Sequence, residues 1–406
     1  MSDTPLTAND SPMFRSNAAQ FLSKVLLAVG VVFLILTGFL GYRAGAKYFA
    51  FAWLWSFFYF YTIAAGALFW TMIHHVTNGG WGTLVRRQFE NIASLHKILF
   101  LFFIPIIFMS PELYPWMDKG HALADEAFLA KQAYFTFPFW PLHGSFFWTR
   151  AALFFAFWVG ATHFFRSQSV KQDADGSVVR STLMQKWSYG AVPAFALSIT
   201  FSAIDWIKTI DYHWYSTMWG VYIFAGTVGA GLAAGILLLL ALKSRGVLTV
   251  VTEEHFHILG KLLLAFTIFW GYIAFDQYML IWYSNIPEET NFFFARNAGS
   301  WNTVAILLVI CRFAIPFLVL LFQASKTNPW RIGFASGWIL TFHALDHYWI
   351  IMPTVQPEGW HPHLVEVTAW IGMAAILVSF LIRAVTSVNL YPLRDPRLGE
   401  SLHVKN

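Results

Sequence analysis

Long apolar runs recur along almost the whole chain, and they constrain its fold more than any other feature of the sequence. Runs of about 20 residues are enough to cross the ~30 Å hydrocarbon core of a bilayer, and here they are centred near residues 32, 62, 100, 155, 197, 230, 270, 312, 341 and 375. Of the 406 residues, 57% are hydrophobic and 12% are charged, whereas soluble domains carry about 25% charged residues. The sequence therefore predicts an all-α polytopic membrane protein with ten transmembrane helices.

The distribution of lysine and arginine predicts the orientation of these spans. Sixteen Lys and Arg residues fall at the two termini and the even-numbered connections, against seven on the opposite side. Positive residues accumulate in cytoplasmic loops, so tails at residues 1–20 and 389–406 are predicted to be cytoplasmic and to flank a membrane domain at residues 21–388. The first span lacks a small-residue cleavage site, which favours a retained signal anchor. The pI near 9.2 follows from this asymmetry and requires no nucleic-acid partner.

Two connections between spans are longer than the others. The outer one, between the third and fourth spans, contains an amphipathic segment at residues 122–134, which is predicted to be a helix lying on the outer surface. The inner one, at residues 166–186, is polar and is predicted to be mobile. Neither is large enough for a separate soluble domain.

Three spans share an aspartate near their predicted outer ends. Spans five, seven and nine run in the same direction, and they carry Asp205, Asp276 and Asp346 just before aromatic-rich exits. Each carboxylate costs about 2.5 to 3.5 kcal/mol at mid-membrane on insertion scales, so three at one depth need a reason. Either they pair with Arg312, Lys208 or backbone groups to fix helix packing, or they line a hydrated proton path or a quinone headgroup pocket.

The ninth span adds two histidines to its aspartate. In FHALDHYWIIMP, the side chains of His343, Asp346 and His347 lie at positions i, i+3 and i+4 and so share one helix face. Imidazole titrates near neutral pH, which favours a proton relay, with helix-packing hydrogen bonds as the alternative. Arg312, near the middle of the eighth span, is predicted to have a carboxylate or carbonyl partner because an unpaired guanidinium there is costly.

Polar side chains also gather at the predicted inner ends of the spans. His74, His96 and His257 with Lys97 are predicted to form the inner mouth of a proton path, and Ser198 and Thr200 continue it at mid-membrane together with Arg312. Further polar residues at these depths are His75, His163, Lys261 and Ser202. The histidines could instead be haem ligands, but they lie at helix ends, where interfacial histidines are ordinary.

Cysteine content limits the redox chemistry that the chain can hold. Cys311 is the only cysteine, which excludes an internal disulfide, a four-thiolate iron–sulfur cluster and a C-x-x-C-H haem attachment. The sequence predicts no catalytic residue and no metal ligand, so electron transfer would belong to partners or to a diffusible cofactor.

Several strings resemble a known family of membrane subunits. They are PELYPWMD with the following DEAFLAKQAYF, then FDQYMLIWYSNIPEET, CRFAIPFLVLL and LDHYWIIMPT. The chain resembles the polysulfide-reductase-C-like (NrfD-like) integral membrane subunits over about residues 20–390, and is most similar to the second of the two such subunits in bacterial alternative complex III. The resemblance implies two four-helix bundles, spans two to five and six to nine, with a peripheral helix at each end.

The resemblance also implies a function. The chain would be a membrane subunit of a quinol:cytochrome c, or other electron-acceptor, oxidoreductase in the bacterial inner membrane, supporting proton conduction and not catalytic by itself. Its partners would be a homologous NrfD-like subunit, an iron–sulfur subunit, c-type cytochrome subunits and lipids; the clusters and haems would lie on those partners, with quinone or menaquinone as a possible ligand. Two alternatives remain open: an independent proton-coupled transporter and a purely structural membrane anchor.

Overall fold

The computed structural model describes residues 12–137 and 143–405, and this part of the chain is almost entirely helical. The long helices are α1 (Asn17–Ala44), α2 (Ala46–Thr77), α3 (Thr83–Ala93), α4 (His96–Phe108), α5 (Ser145–Asp175), α6 (Val178–Trp206), α7 (Trp219–Lys243), α8 (Glu253–Ser284), α9 (Trp301–Leu321), α10 (Pro329–Ile351) and α11 (Leu364–Thr386). Short α-helices occupy Ser110–Leu113, Lys119–Leu123, Glu126–Phe135, Pro287–Arg296, Gln323–Thr327 and Leu398–Leu402. Short 3₁₀ turns occupy Gly80–Gly82, Pro115–Met117, Lys208–Asp211 and Met352–Thr354.

Eight helical segments of the described chain are long and apolar enough to cross a membrane. They are α1, α2, the α3–α4 pair, α6, α7, α8, α9 and α11. Helices α5 and α10 are also long, with 31 and 23 residues, but they are not among these apolar segments. The prediction of an all-helical, membrane-spanning protein is therefore confirmed, with eight apolar helical segments in the described chain.

The long helices run back and forth between two faces. On the tail face, the N- and C-terminal segments meet in a β-bridge between Met13 and Asn389, and the Leu390 amide donates to the carbonyl of Pro12 at 2.7 Å. On the opposite loop face, the short helices Glu126–Phe135 and Pro287–Arg296 lie beside the helix ends. Residues 1–11, which include most of the predicted N-terminal tail, fall outside the described residues.

Helices α2 and α7 form the centre of the molecule. Helix α2 packs against α3, α4, α6 and α7, while α7 also packs against α6, α8 and α10; α1 packs along α11, which in turn contacts α2. At the α2–α7 crossing, a Cβ atom on Gly66 would lie 2.1 Å from the carbonyl oxygen of Thr227, and one on Gly231 would lie 2.4 Å from the carbonyl carbon of Gly66. The two backbones touch because both positions lack a side chain, as in other close helix pairs in membranes.

The tail face is held together by buried ion pairs. On α3, Arg86 contacts Glu90 and Asp395, each at 3.0 Å, and Arg87 contacts Asp173 at 3.0 Å. These side chains have almost no exposed surface. Buried charges persist only when they are paired and hydrogen-bonded, so this network packs the C-terminal segment onto the helices.

Both of the longer connections contain helix. Residues 166–186 are helical on either side of a turn, because α5 extends to Asp175 and the chain reverses at Gly176, whose φ of 63° suits glycine. The predicted surface helix at residues 122–134 is two short helices, Lys119–Leu123 and Glu126–Phe135. The break falls at Asp125, whose carboxylate caps the second helix by accepting from the Ala127 amide at 2.9 Å.

Two predicted spans are not regular helices. The third, which is predicted to begin at His96, is α4 with only 13 residues, and a break at residues 94–95 separates it from the polar helix α3. The eighth, α9, contains a π-helical turn at Leu308–Ala314, which includes Arg312. A π-turn inside a helix often accompanies a functional site.

Candidate functional site

The polar stripe of α10 lies inside the protein rather than against lipid. His343, Asp346 and His347 are each 1% exposed or less. The stripe faces α2 and α7, with Arg312 of α9 beside it. We call His343, Asp346, His347 and Arg312 the buried polar cluster.

His343 is held by contacts on both ring nitrogens. Its Nε2 lies 2.9 Å from the hydroxyl oxygen of Thr62, and its Nδ1 lies 3.5 Å from a guanidinium nitrogen of Arg312. Arg312 can only donate, and the Thr62 hydroxyl donates to the carbonyl of Tyr59 at 2.8 Å. The ring is therefore arranged as a neutral imidazole that carries its proton on Nε2.

Asp346 and Arg312 lie close together without a direct ion pair. The carboxylate of Asp346 accepts a short hydrogen bond from the Tyr222 hydroxyl, and Arg312 lies close enough to act on it electrostatically. The guanidinium stacks over the Trp270 ring, 4.8 Å from its centroid. In place of the predicted carboxylate or carbonyl, Arg312 contacts an imidazole and an aromatic face, and the Asp346 carboxylate lies further away.

His347 packs against two rings, and one of its ring nitrogens has no hydrogen bond to a described residue. Its ring packs 4.2 Å from that of His343 and 4.9 Å from that of Phe58, centroid to centroid. Its Nδ1 is buried and has no hydrogen-bond partner among the described residues. Two adjacent imidazoles, one carboxyl group and a guanidinium can together hold a proton in more than one arrangement.

An apolar cavity of about 450 Å³ lies next to the cluster. Tyr222 and Trp270 form part of its wall, and seven further aromatic side chains line it. Phe275 of α8 and Val309 of α9 line it and are more than 60% exposed. The cavity therefore opens sideways, toward the surface that would face lipid.

Asp205 belongs to a different site. Its carboxylate receives two hydrogen bonds from Arg150, at 2.7 and 2.9 Å, and one from the Tyr134 hydroxyl at 2.8 Å. The guanidinium stacks over the Tyr134 ring at 4.1 Å. Asp205 therefore forms an ion pair that fixes helix packing, and its partner is Arg150 rather than Lys208 or Arg312.

Asp276 is only half-buried and has no hydrogen bond or ion pair with any described residue. The neighbouring Gln277 is the residue that turns inward, lining the cavity and accepting from the Ser216 hydroxyl at 3.2 Å. The three aspartates therefore occupy three separate environments, and no hydrogen bond or ion pair in the described chain joins them.

The residues of the predicted inner mouth lie on the tail face but do not form one cluster. His96 is buried, with Nδ1 2.8 Å from the Ala93 carbonyl oxygen, whereas Lys97 is exposed and His257 is half-buried. His74 is half-buried beside a small cavity of about 40 Å³. In the part of the chain that is described, no three His, Cys, Asp or Glu residues are placed to hold a metal ion.

The predicted mid-membrane hydroxyls do not line one track. Ser198 accepts from the Trp158 indole at 3.0 Å, and Ser202 lies 2.9 Å from the Tyr61 hydroxyl. Thr200 faces α7 instead, against Gly220. Of the predicted mid-membrane residues, Arg312 alone joins the buried polar cluster.

Two members of the site are missing from the sequence prediction. Thr62 contacts His343 and Tyr222 contacts Asp346, but each lies more than 120 residues along the chain from the residue that it contacts. The one available signal is a seven-residue spacing on α2, where Tyr48, Trp55 and Thr62 all turn toward α10 and α11.

No family model matches the chain, and no curated protein matches it significantly.

Proposed function

We propose that the chain is a ten-span membrane subunit of a quinol:electron-acceptor oxidoreductase of the alternative complex III type, in which it conducts protons. The ten spans are the eight apolar segments together with α5 and α10, in two four-helix bundles, α2–α6 and α7–α10, with α1 and α11 at the periphery. The tail face is cytoplasmic. Iron–sulfur clusters and c-type haems are held by partner subunits.

The observation that carries the proposed proton conduction is the buried polar cluster, while the assignment to a quinol oxidoreductase rests on the resemblance of the sequence. Four ionisable side chains deep between α2, α7, α9 and α10 are expensive in a membrane protein and characteristically mark ion and proton pathways. The cluster holds one permanent cation, one carboxylate and two imidazoles, so an added proton can be taken up by Asp346 or by one of the two histidines. The cavity beside Tyr222 is suited to an apolar molecule that enters from the bilayer, such as a quinone.

The alternatives can be separated by purification and one substitution. Purification in mild detergent should recover partner chains with c-type haem; recovery of this chain alone would favour the independent transporter.

In the assembled complex, Asp346→Asn keeps the size of the side chain and removes its titratable group. Quinol-driven proton movement should fall by about tenfold, since positioned proton-transfer groups contribute about 10²–10⁴-fold and water replaces them in part. Wild-type proton movement in this variant would leave a purely structural membrane anchor as the remaining explanation.

A further inference from the structure

Another buried carboxylate, Glu366, lies on the loop face at the start of α11. The residue is 2% exposed. Its Oε1 accepts from the hydroxyl of Tyr348 at 2.9 Å, from the Nε2 of Gln356 at 3.2 Å and, in a short hydrogen bond, from the hydroxyl of Tyr48. Its Oε2 accepts from the backbone amide of His363 at 3.1 Å.

All four of these donors are neutral, which distinguishes Glu366 from Asp205. A carboxylate held by a bidentate guanidinium loses an ion pair when it takes up a proton, and the cation is then left buried and uncompensated. Glu366 has no cation among its hydrogen-bond donors, and tyrosine hydroxyls can either donate or accept. Its hydrogen-bond network can therefore adjust to the charged and to the neutral carboxyl group.

Glu366 lies at one end of a line of polar contacts between α2 and its neighbours. At mid-helix, Thr62 meets His343. One heptad away, the indole of Trp55 donates to the carbonyl of Ala344 at 2.9 Å and packs edge-on against Tyr348, with ring centroids 5.2 Å apart. A further heptad along, Tyr48 meets Glu366. Fourteen residues of helix cover about 21 Å, so the line leads from the buried polar cluster to the loop face.

The surroundings of Glu366 connect it to solvent. Gln356 donates to the carbonyl of His361 at 2.9 Å, and His361 and His363 are both exposed. The ring of His363 packs against that of Tyr48, with centroids 4.6 Å apart. Only this layer of residues separates the carboxyl group from the loop-face surface.

We propose that Glu366 is the proton-carrying group at the loop-face end of the path, a role that rests on the function proposed above. As Oε1 of Glu366 takes the hydroxyl proton of Tyr348, the Tyr348 oxygen accepts a replacement proton from a water molecule on the side of the buried polar cluster. The protonated carboxyl group then gives its proton to water beside His361 and His363, which restores the carboxylate. Each transfer breaks one O–H bond and forms another, so one proton passes along the line in each cycle.

The competing explanation is that Glu366 only caps α11. His363 and Glu366 form a reciprocal capping box, and glutamine serves that purpose as well as glutamate. Glu366→Gln therefore keeps the cap and removes the proton-carrying group. Glu358→Gln is the matched control, because Glu358 is an exposed carboxylate in the same loop.

The test is quinol-driven proton release by the complete complex in liposomes. Glu366→Gln should lower it by about tenfold, with the control variant unchanged, and should remove a carboxylic-acid carbonyl band from infrared difference spectra between acidic and alkaline buffer. Wild-type release by Glu366→Gln, with slow release by Asp346→Asn, would overturn the role of Glu366 and leave the proposed function standing. Wild-type release by both would overturn both proposals.

A variant that leaves the carboxyl group in place keeps the test open if Glu366→Gln does not assemble. Tyr348→Phe removes only the hydroxyl that leads to Oε1, and proton release should again fall severalfold. Wild-type release by Tyr348→Phe would overturn the path through this hydroxyl to Glu366.

Discussion

Asp205 and Asp346 are both buried, but different groups compensate their charges. Asp205 is bonded on both oxygens to Arg150, which fixes the charge of the pair. Asp346 receives its hydrogen bond from a neutral tyrosine, with Arg312 nearby but not bonded to it. Only the second arrangement leaves a carboxyl group free to exchange a proton, so the two aspartates should respond differently to the same substitution.

Asp205→Asn should destabilise the protein and leave proton conduction unchanged, because Asp205 lies outside the proposed proton path. Removing one partner of a buried ion pair leaves the other charge uncompensated and costs about 3 to 5 kcal/mol. Thermal unfolding of the purified protein should report this loss. Asp276→Asn is the matched control, because Asp276 makes no hydrogen bond or ion pair with a described residue, and substitutions away from specific contacts usually change stability by less than about 0.5 kcal/mol. Equal unfolding temperatures for Asp205→Asn and the wild type would contradict the structural role of the pair.

The sequence predicts one side of this site and not the other. His343, Asp346 and His347 follow from their i, i+3, i+4 spacing on a single helix. Tyr222 and Thr62 do not, because helices distant along the chain supply them and no local pattern encodes that packing. The equal depth of the three aspartates suggested a shared cavity, but depth does not specify which way each side chain points around its helix.

At the scale of helices, the fold depends on the close crossing of α2 and α7. Because a backbone oxygen lies where the Cβ of residue 66 would be, Gly66→Ala should force the helices apart and lower the yield and unfolding temperature of the purified protein. Gly38→Ala on α1, where no atom lies within 4 Å of the added Cβ, should leave both unchanged. Similar behaviour of the two variants would contradict the packing of α2 against α7.

The loop-face segment around Asp125 should be sensitive to acid. Its hydrogen bond from Tyr212, with that from His213, lowers the pKa of Asp125 from 3.8 to about 2. Because this pKa is lowered by folding, the stabilisation is complete above about pH 4 and disappears as the pH falls toward 2.

Hydrogen exchange of Glu126–Phe135 measures this effect. Asp125→Ala should exchange faster than the wild type at pH 5, and the two proteins should exchange alike at pH 2. Asp118→Ala, which removes a neighbouring exposed carboxylate, should behave like the wild type at both values. A difference that persists at pH 2 would show that the carboxylate does not hold the segment.

The helical architecture follows from the sequence more completely than its irregularities do. Apolar length locates the spans, since it reflects the thickness of the bilayer. The π-turn of α9 leaves no such signal, because a one-residue change in hydrogen-bond register alters neither hydropathy nor length.

For the whole molecule, the excess of positive charge at the tail face predicts a cytoplasmic location of both chain ends. Tags fused to either end should resist protease in intact spheroplasts and be cleaved after lysis. A single cysteine placed at exposed Glu358 in a Cys311→Ser background should react with a membrane-impermeant reagent from outside. Cleavage of either tag in intact spheroplasts would contradict the orientation.

The proton path itself is tested most directly by counting protons released per electron from quinol in liposomes that contain the complete complex. Wild type, Asp346→Asn and Asp205→Asn should be compared after each has been shown to assemble with its full set of partner chains. The account predicts a marked fall in the proton-to-electron ratio for Asp346→Asn and a wild-type ratio for Asp205→Asn, whatever its stability. A wild-type ratio for Asp346→Asn would contradict it.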